Sequence, residues 1–209
     1  MLTFEHTKVF NFEGAFRGMR NPLDSWDKAD SIFDAGFNND ETILGPKDLD
    51  RAQKLIKGGS EHSKFMRQIF VSVDITAPLY WWSEADTYKV STTANSCSTM
   101  HTLAKKPITL DMFEIEEEEL VTERAYLNMV ITHLESIRQK YKETNDYKWF
   151  RLLKKELPSS FKQKRTWTGN YAVVRNMYHQ RDTHRLKEWT EDFCGWVQTL
   201  PYANELILF

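Results

Sequence analysis

Apolar and polar positions alternate with a period of two around Val71. Ile69, Val71, Val73 and Ile75 fall on one side, Gln68, Phe70, Ser72 and Asp74 on the other, which predicts a strand with one buried face. Upstream, Pro46 to Lys57 spaces Leu49, Ala52, Leu55 and Ile56 along one helical face, and Gly58 and Gly59 follow where a helix should stop. Downstream, Thr76 and Pro78 predict the N-cap and early proline of a short helix over TAPLYWWSEADTY, with Trp81, Glu84 and Tyr88 sharing a side.

The pattern then breaks. VSTTANSCSTMH, from Val90 to His101, is dominated by small and hydroxyl-bearing residues, too polar for a core element, and reads as a loop or an edge segment. From Glu116 to Tyr141 helical spacing returns, with Leu120, Leu127, Ile131, Leu134 and Tyr141 on the apolar stripe and Glu116 to Glu119 as an acidic first turn. A second helix is expected over Tyr147 to Leu157, ended by Pro158, and a third after Trp167-Thr168-Gly169. A fourth should begin at Thr183, bury Leu186, Trp189, Phe193, Val197 and Leu200, and end at Pro201. Few strands and many helices predict an α+β fold in one domain spanning 1–209. No GxGxxG, GxxxxGK[ST] or GxSxG occurs, so phosphate loops and a nucleophile elbow have no candidate.

Composition narrows the class. The 209 residues carry a formal net charge of −2, with 41% hydrophobic and 28% charged, as expected for a globular chain with a real core. Seven Trp, eight Tyr and thirteen Phe supply much flat apolar surface. The cluster Tyr80, Trp81, Trp82 and Tyr88 is read first as packing and second as a stacking platform. Cys97 and Cys194 stand alone, without CxxC or metal-ligand spacing. A reducing compartment is therefore expected, with Cys97 a small buried core residue and no metal site. The N-terminal stretch has early charges and no apolar h-region, and no apolar run is long enough to span a bilayer, so a cytoplasmic protein without membrane contact is expected. Arg151, Lys154, Lys155, Lys162, Lys164 and Arg165 make a basic stretch that acidic residues elsewhere cancel, so nucleic acid is not expected as a partner.

The C-terminal stretch ELPSSFKQKRTWTGNYAVVRNMYHQRDTH carries Leu157-Pro158, Lys164, Trp167 to Asn170, Asn176, Arg181 and His184 in a fixed order. In this it resembles flavin-dependent thymidylate synthases, where Leu-Pro, a basic residue, a WTxN step and a helix ending in Arg and His follow one another. LIKGGSEHSKFMRQIFVSVDITAPLYWW is similar to that family's Gly-His-Glu segment, strand and Ala-Pro helix start. The family pattern RHRxxSxNExSxR corresponds here to Thr87-Tyr88-Lys89 and then, with one extra residue, Asn95, Ser96, Ser98 and Met100.

The resemblance implies a small antiparallel sheet packed with several helices, assembled as a homotetramer with FAD where subunits meet. It also implies reductive methylation of dUMP or a related pyrimidine nucleotide, with methylenetetrahydrofolate and NADPH as co-substrates. Carried over position by position, Ser98 would lie close to the pyrimidine. Asn170 and Asn176 would hold the flavin with His184 and the RHR-position residues Tyr88 and Lys89. Glu84, Lys164 and Arg181 would bind the nucleotide, with Ser98 and Arg181 as the catalytic pair. Two of the family's arginines are replaced by Thr87 and Met100. At roughly 1.5–3 kcal/mol per charge-assisted hydrogen bond, two lost contacts weaken phosphate binding by about two to four powers of ten. Lys64, Arg67, Lys89, Lys164 and Arg181 are the candidates to restore that charge, and Glu84 with Asp86 would oppose it. A non-catalytic nucleotide-binding oligomer of the same fold, or an enzyme modifying another pyrimidine, are the alternative expectations.

Overall fold

The computed structural model describes residues 1–33, 42–115 and 120–209. The chain opens with strand β1 (Thr3–Phe10) and helix α1 (Phe12–Arg20), followed by 3-10 turns at Asn21–Leu23 and Trp26–Lys28. A short antiparallel pair, β2 (Ile32–Phe33) and β3 (Thr42–Ile43), precedes α2 (Pro46–Lys57), and a 3-10 turn over Lys64–Gln68 leads into β4 (Phe70–Pro78). Then come α3 (Leu79–Ala85), β5 (Thr93–Ser96), α4 (Thr99–Thr102) and the long α5 (Leu120–Thr144). They are followed by α6 (Tyr147–Lys155), β6 (Lys162–Asn170) and α7 (Tyr171–Arg181). A π-helical turn over Glu188–Phe193 runs into α8 (Cys194–Gln198), and another covers Ala203–Ile207. The main sheet is small and antiparallel, in the order β1-β4-β6-β5.

The period-two alternation is realised in β4, where Val71, Val73, Ile75 and Ala77 are buried, as is Ile69 just before it. The strand continues to Pro78, so Thr76 is a strand residue and Pro78 itself caps α3. An unbroken run of inward-facing residues wins here over the capping signal. Because α3 ends at Ala85, Tyr88 lies beyond it and shares no helix face with Trp81 and Glu84. The polar stretch after Val90 contains β5, an edge strand with every side chain exposed. The helix expected from Thr183 starts later, yet Trp189, Phe193, Val197 and Leu200 are buried as expected.

The chain divides into two compact units. One comprises 1–3, 75–87 and 95–165. In it α5 packs on α6 around Leu103, Ile108, Phe113, Leu127, Leu134, Ile137 and Leu153. Arg138, buried on α5, pairs with Glu135 at 2.7 Å, and the same carboxylate accepts the Ile108 N–H at 2.6 Å. That satisfies a buried charge and fixes the incoming loop. The acidic turn expected at Glu116–Glu119 lies outside the described residues, as does the Leu120 side chain.

The other unit comprises 4–74, 88–94 and 166–209. Phe12 on α1 meets Tyr171 on α7 edge-on at 5.6 Å, and Tyr171 donates its hydroxyl to the Pro201 carbonyl at 2.6 Å. α2 stops at Gly58, after which Gly59 takes φ +97, a conformation only glycine adopts without strain. Gly169 is required for a different reason: a Cβ there would collide with the Trp167 ring.

Candidate functional site

α7 owes its start to Asn170. This residue is 4% exposed, and its side-chain Oδ1 accepts the Val173 N–H at 3.0 Å, capping the helix. The first turn of α7 then forms one wall of a cavity of about 680 Å³, with Asn170, Ala172 and Val173 in the wall and Asn176 one turn further on. Across from them stand Ile56 and Gly59 at the end of α2, Ser60, Ser63, Met66 and Arg67 of the following turn, and Val90 and Ser91. The volume is within the range of small-molecule and cofactor sites, and the lining mixes apolar surface with a few convergent polar groups.

The formal charge in this cavity comes from arginines among the described residues. Arg67, Arg175 and His179 line it, and no carboxylate does among the described residues. Arg175 reaches the Ile207 carbonyl with its guanidinium, and His179 Nε2 lies 3.0 Å from the same oxygen. Burial holds the Arg175 guanidinium below its ordinary value. The positive end of the α7 dipole adds to the two arginines, so the arrangement suits a ligand carrying both an anionic group and an apolar body.

A second cluster in the same unit gathers Tyr88, Arg181, His184 and Trp189. Arg181 Nε donates to the Tyr88 hydroxyl at 2.8 Å, and its guanidinium sits 4.6 Å from the centre of the Trp189 ring. The Tyr88 hydroxyl in turn donates to Gln180 at 3.0 Å. His184 accepts the Leu186 N–H on Nδ1 at 3.2 Å and meets Trp189 edge-on. Tyr88, at the middle of the RHR-equivalent triplet, thus holds an arginine in place of supplying a cation. Lys89 beside it is exposed.

Glu84, Ser98 and Lys164 belong to the other unit. Glu84 accepts the Thr87 hydroxyl on its backbone carbonyl at 2.7 Å. Ser98 precedes α4 and its carbonyl accepts the Thr102 hydroxyl at 2.9 Å. Lys164, in β6, accepts the Cys97 N–H on its carbonyl at 2.8 Å. Asp86, expected to oppose a phosphate, is neutralised by Arg165 at 2.9 Å, and that guanidinium lies over the Trp82 ring at 4.2 Å. Cys97 is exposed, contrary to expectation: it follows directly on the edge strand β5, whose own side chains are all exposed. Cys194 is the buried cysteine.

Sequence reasoning picked out Asn170 and Asn176 but missed Arg175, His179 and Ser63 as their neighbours in the cavity. A signal was present: Ala172, Asn176 and His179 recur at helical spacing and mark one stripe of α7. Ser63 carried none, since only folding brings the turn after α2 to that stripe. No described helix is long and apolar enough to cross a membrane, and no cluster of three or more His, Cys, Asp or Glu suited to a metal is found among the described residues.

No family model matches the sequence, and no curated protein matches it. Among solved structures the chain is similar to thymidylate synthase X of Helicobacter pylori, determined with FAD and dUMP. The TM-score is 0.71 at 18% identity, covering 99% of this chain and 96% of that one. A second structure of the flavin-dependent thymidylate synthase from Helicobacter pylori, also complexed with FAD and dUMP, gives 0.69 at 17% identity over 99% and 97%. At such low identity the likeness fixes architecture alone: over nearly its whole length, this chain has the thymidylate synthase X fold.

Proposed function

We propose that this chain is a diverged flavin-dependent thymidylate synthase homologue that binds FAD and a pyrimidine nucleotide, dUMP or an analogue. The observation that carries the reading is that Asn170 and Asn176 share one wall of a cavity that Arg67 and Arg175 also line, with no carboxylate among the described residues there. The donor set fits the cofactor. Arg67, Arg175 and the α7 N-terminus would hold an anionic group, while Ile56, Met66 and Val173 would pack on a flat apolar body. When bound, FAD would supply the hydride of a reductive methylation, with NADPH as reductant and methylenetetrahydrofolate as carbon donor. The chain's own residues bind and orient: Arg181, clamped by Tyr88 and Trp189, presents a fixed cation to the nucleotide, and Ser98 and Lys164 are assigned to the same substrate. Glu84 is assigned with them, His184 and Lys89 to the cofactor, and 1–209 act as one synthase domain in a cytoplasmic homotetramer.

A specific observation favours a second reading, a nucleotide-binding oligomer without catalysis. The RHR-equivalent positions are turned to internal use, with Thr87 bonded back to Glu84 and Tyr88 to Arg181. The two readings separate on the purified protein. A flavin absorbance spectrum together with NADPH oxidation that speeds up only when dUMP is added supports the synthase. Nucleotide binding without flavin or turnover supports the second reading. Protein that takes up neither added FAD nor dUMP removes both.

A further inference from the structure

Away from the α7 cavity, a pocket of about 370 Å³ is formed by α1, the turns after it and the outer face of α2. Among the described residues it is lined by five basic side chains, Arg20, Lys28, Lys47, Arg51 and Lys54, against a single carboxylate, Asp50. Two of the five cations are neutralised: Arg20 pairs with buried Asp48 at 2.6 Å and Lys54 with Asp50 at 2.6 Å. Asp30, outside the lining, is committed to the backbone, accepting the Lys47 and Asp48 N–H groups at 2.9 and 3.0 Å. Lys28, Lys47 and Arg51 therefore keep their positive charge uncompensated by any described ion pair.

Arg51 gives the second, independent sign. Its Nε is buried without a hydrogen-bond partner, and a buried donor left unsatisfied costs free energy that native folds rarely tolerate without a ligand, water or ion to complete it. A guanidinium offers a planar fork matched to phosphate oxygens, while the flanking lysines act as point charges on the same anion. Leu23 and Leu55 complete the walls, so there is apolar surface beside the charge.

We propose that this pocket binds the phosphoryl or diphosphoryl group of a small phosphorylated ligand, at a site separate from the α7 cavity and independent of the function proposed for it. Arg51, with its buried Nε, and Lys28 and Lys47, both exposed, would hold the anion from two elements.

The test is calorimetric titration of the full chain with inorganic pyrophosphate at constant ionic strength. Wild type should bind, and Lys28→Gln with Lys47→Gln should lower the affinity by about tenfold or more, with a similar loss for Arg51→Met. Both lysines are exposed, so their double variant keeps the fold and decides the matter even where Arg51→Met does not fold. Pyrophosphate affinity unchanged in the lysine double variant would overturn the proposal, as would the absence of binding to wild type. A random-sequence DNA duplex binding through these lysines while pyrophosphate stays silent would also overturn it, assigning the patch to a polymer backbone.

Discussion

Arg181 and Tyr88 are joined twice over: the guanidinium Nε donates to the phenol oxygen at 2.8 Å, and the cation lies 5.5 Å from the centre of the same ring. A long, flexible side chain is thereby held in one place before any ligand arrives, which lowers the entropy lost on binding an anion. Tyr88→Phe removes the acceptor but keeps the ring. Nucleotide affinity should then fall by about 0.5–1.5 kcal/mol, the usual net worth of a hydrogen bond, while Arg181→Ala should abolish binding. Calorimetry with dUMP measures both, and an Arg181→Ala protein that binds dUMP as wild type does would exclude this arginine from the site.

Asn170 carries two duties that substitution can separate. As the cap of α7 it needs only a side-chain acceptor, which Asp also supplies. Asn170→Asp should thus stay within a few tenths of a kcal/mol of wild type in urea unfolding, whereas Asn170→Ala should lose about 1 kcal/mol. In the cavity the order changes, because Asp adds a negative charge beside an otherwise cationic lining. Asn170→Asp should bind FAD more weakly than Asn170→Ala does, as read from flavin fluorescence, and the reverse ranking would show that the cavity does not receive the anionic part of the cofactor.

The two cysteines should differ sharply in reactivity. Cys194 is 3% exposed, and burial, with Asp182 nearby, pushes its thiol up to about 11. At pH 8 roughly one such thiol in a thousand is ionised, and the thiolate is the reacting form. Cys97 is exposed. A thiol reagent at pH 8 should therefore titrate one group rapidly in the native protein and two in denaturant. Two rapid groups in the native protein would contradict the burial of Cys194.

What was legible in the sequence follows a physical division. β4 and α2 were readable because each obeys one period, and α2 is followed by Gly58 and Gly59, where a helix should stop. β6 was missed, since Lys162, Gln163, Lys164 and Arg165 form a run of polar side chains, and only its end, Trp167 to Asn170, is largely buried. β1 hid for the same reason, with most of its side chains exposed. Sheet edges and half-exposed strands leave no contrast for a period to register. The candidate site was partly legible through the family resemblance of the stretch that carries Asn170 and Asn176. Of its opposite wall only Arg67 was named beforehand, for its charge; Ser63 reaches it only through tertiary folding.

Asp48 should set the acid limit of stability in the unit that carries the α7 cavity. It is 1% exposed, and burial alone would push its carboxyl up. The Ser31 hydroxyl at 2.7 Å, the Asp30 N–H at 3.1 Å, Arg20 Nε at 2.7 Å and the Ser31 N–H at 3.0 Å more than offset this, holding it below the ordinary 3.8. A depressed folded value means that the unfolded chain binds the proton more readily. The stabilisation is thus fully present above 3.8 and drains away as pH falls through the lower folded value. Denaturant titrations from about pH 5 downward should show wild-type unfolding free energy falling steeply, and Asp48→Asn starting lower with a shallower slope. Asp48→Ala, which strands the buried Arg20 guanidinium, should cost about 3–5 kcal/mol near neutral pH. Parallel slopes for wild type and Asp48→Asn would mean that another carboxylate, with Glu135 the next candidate since it too is held low, governs the acid transition.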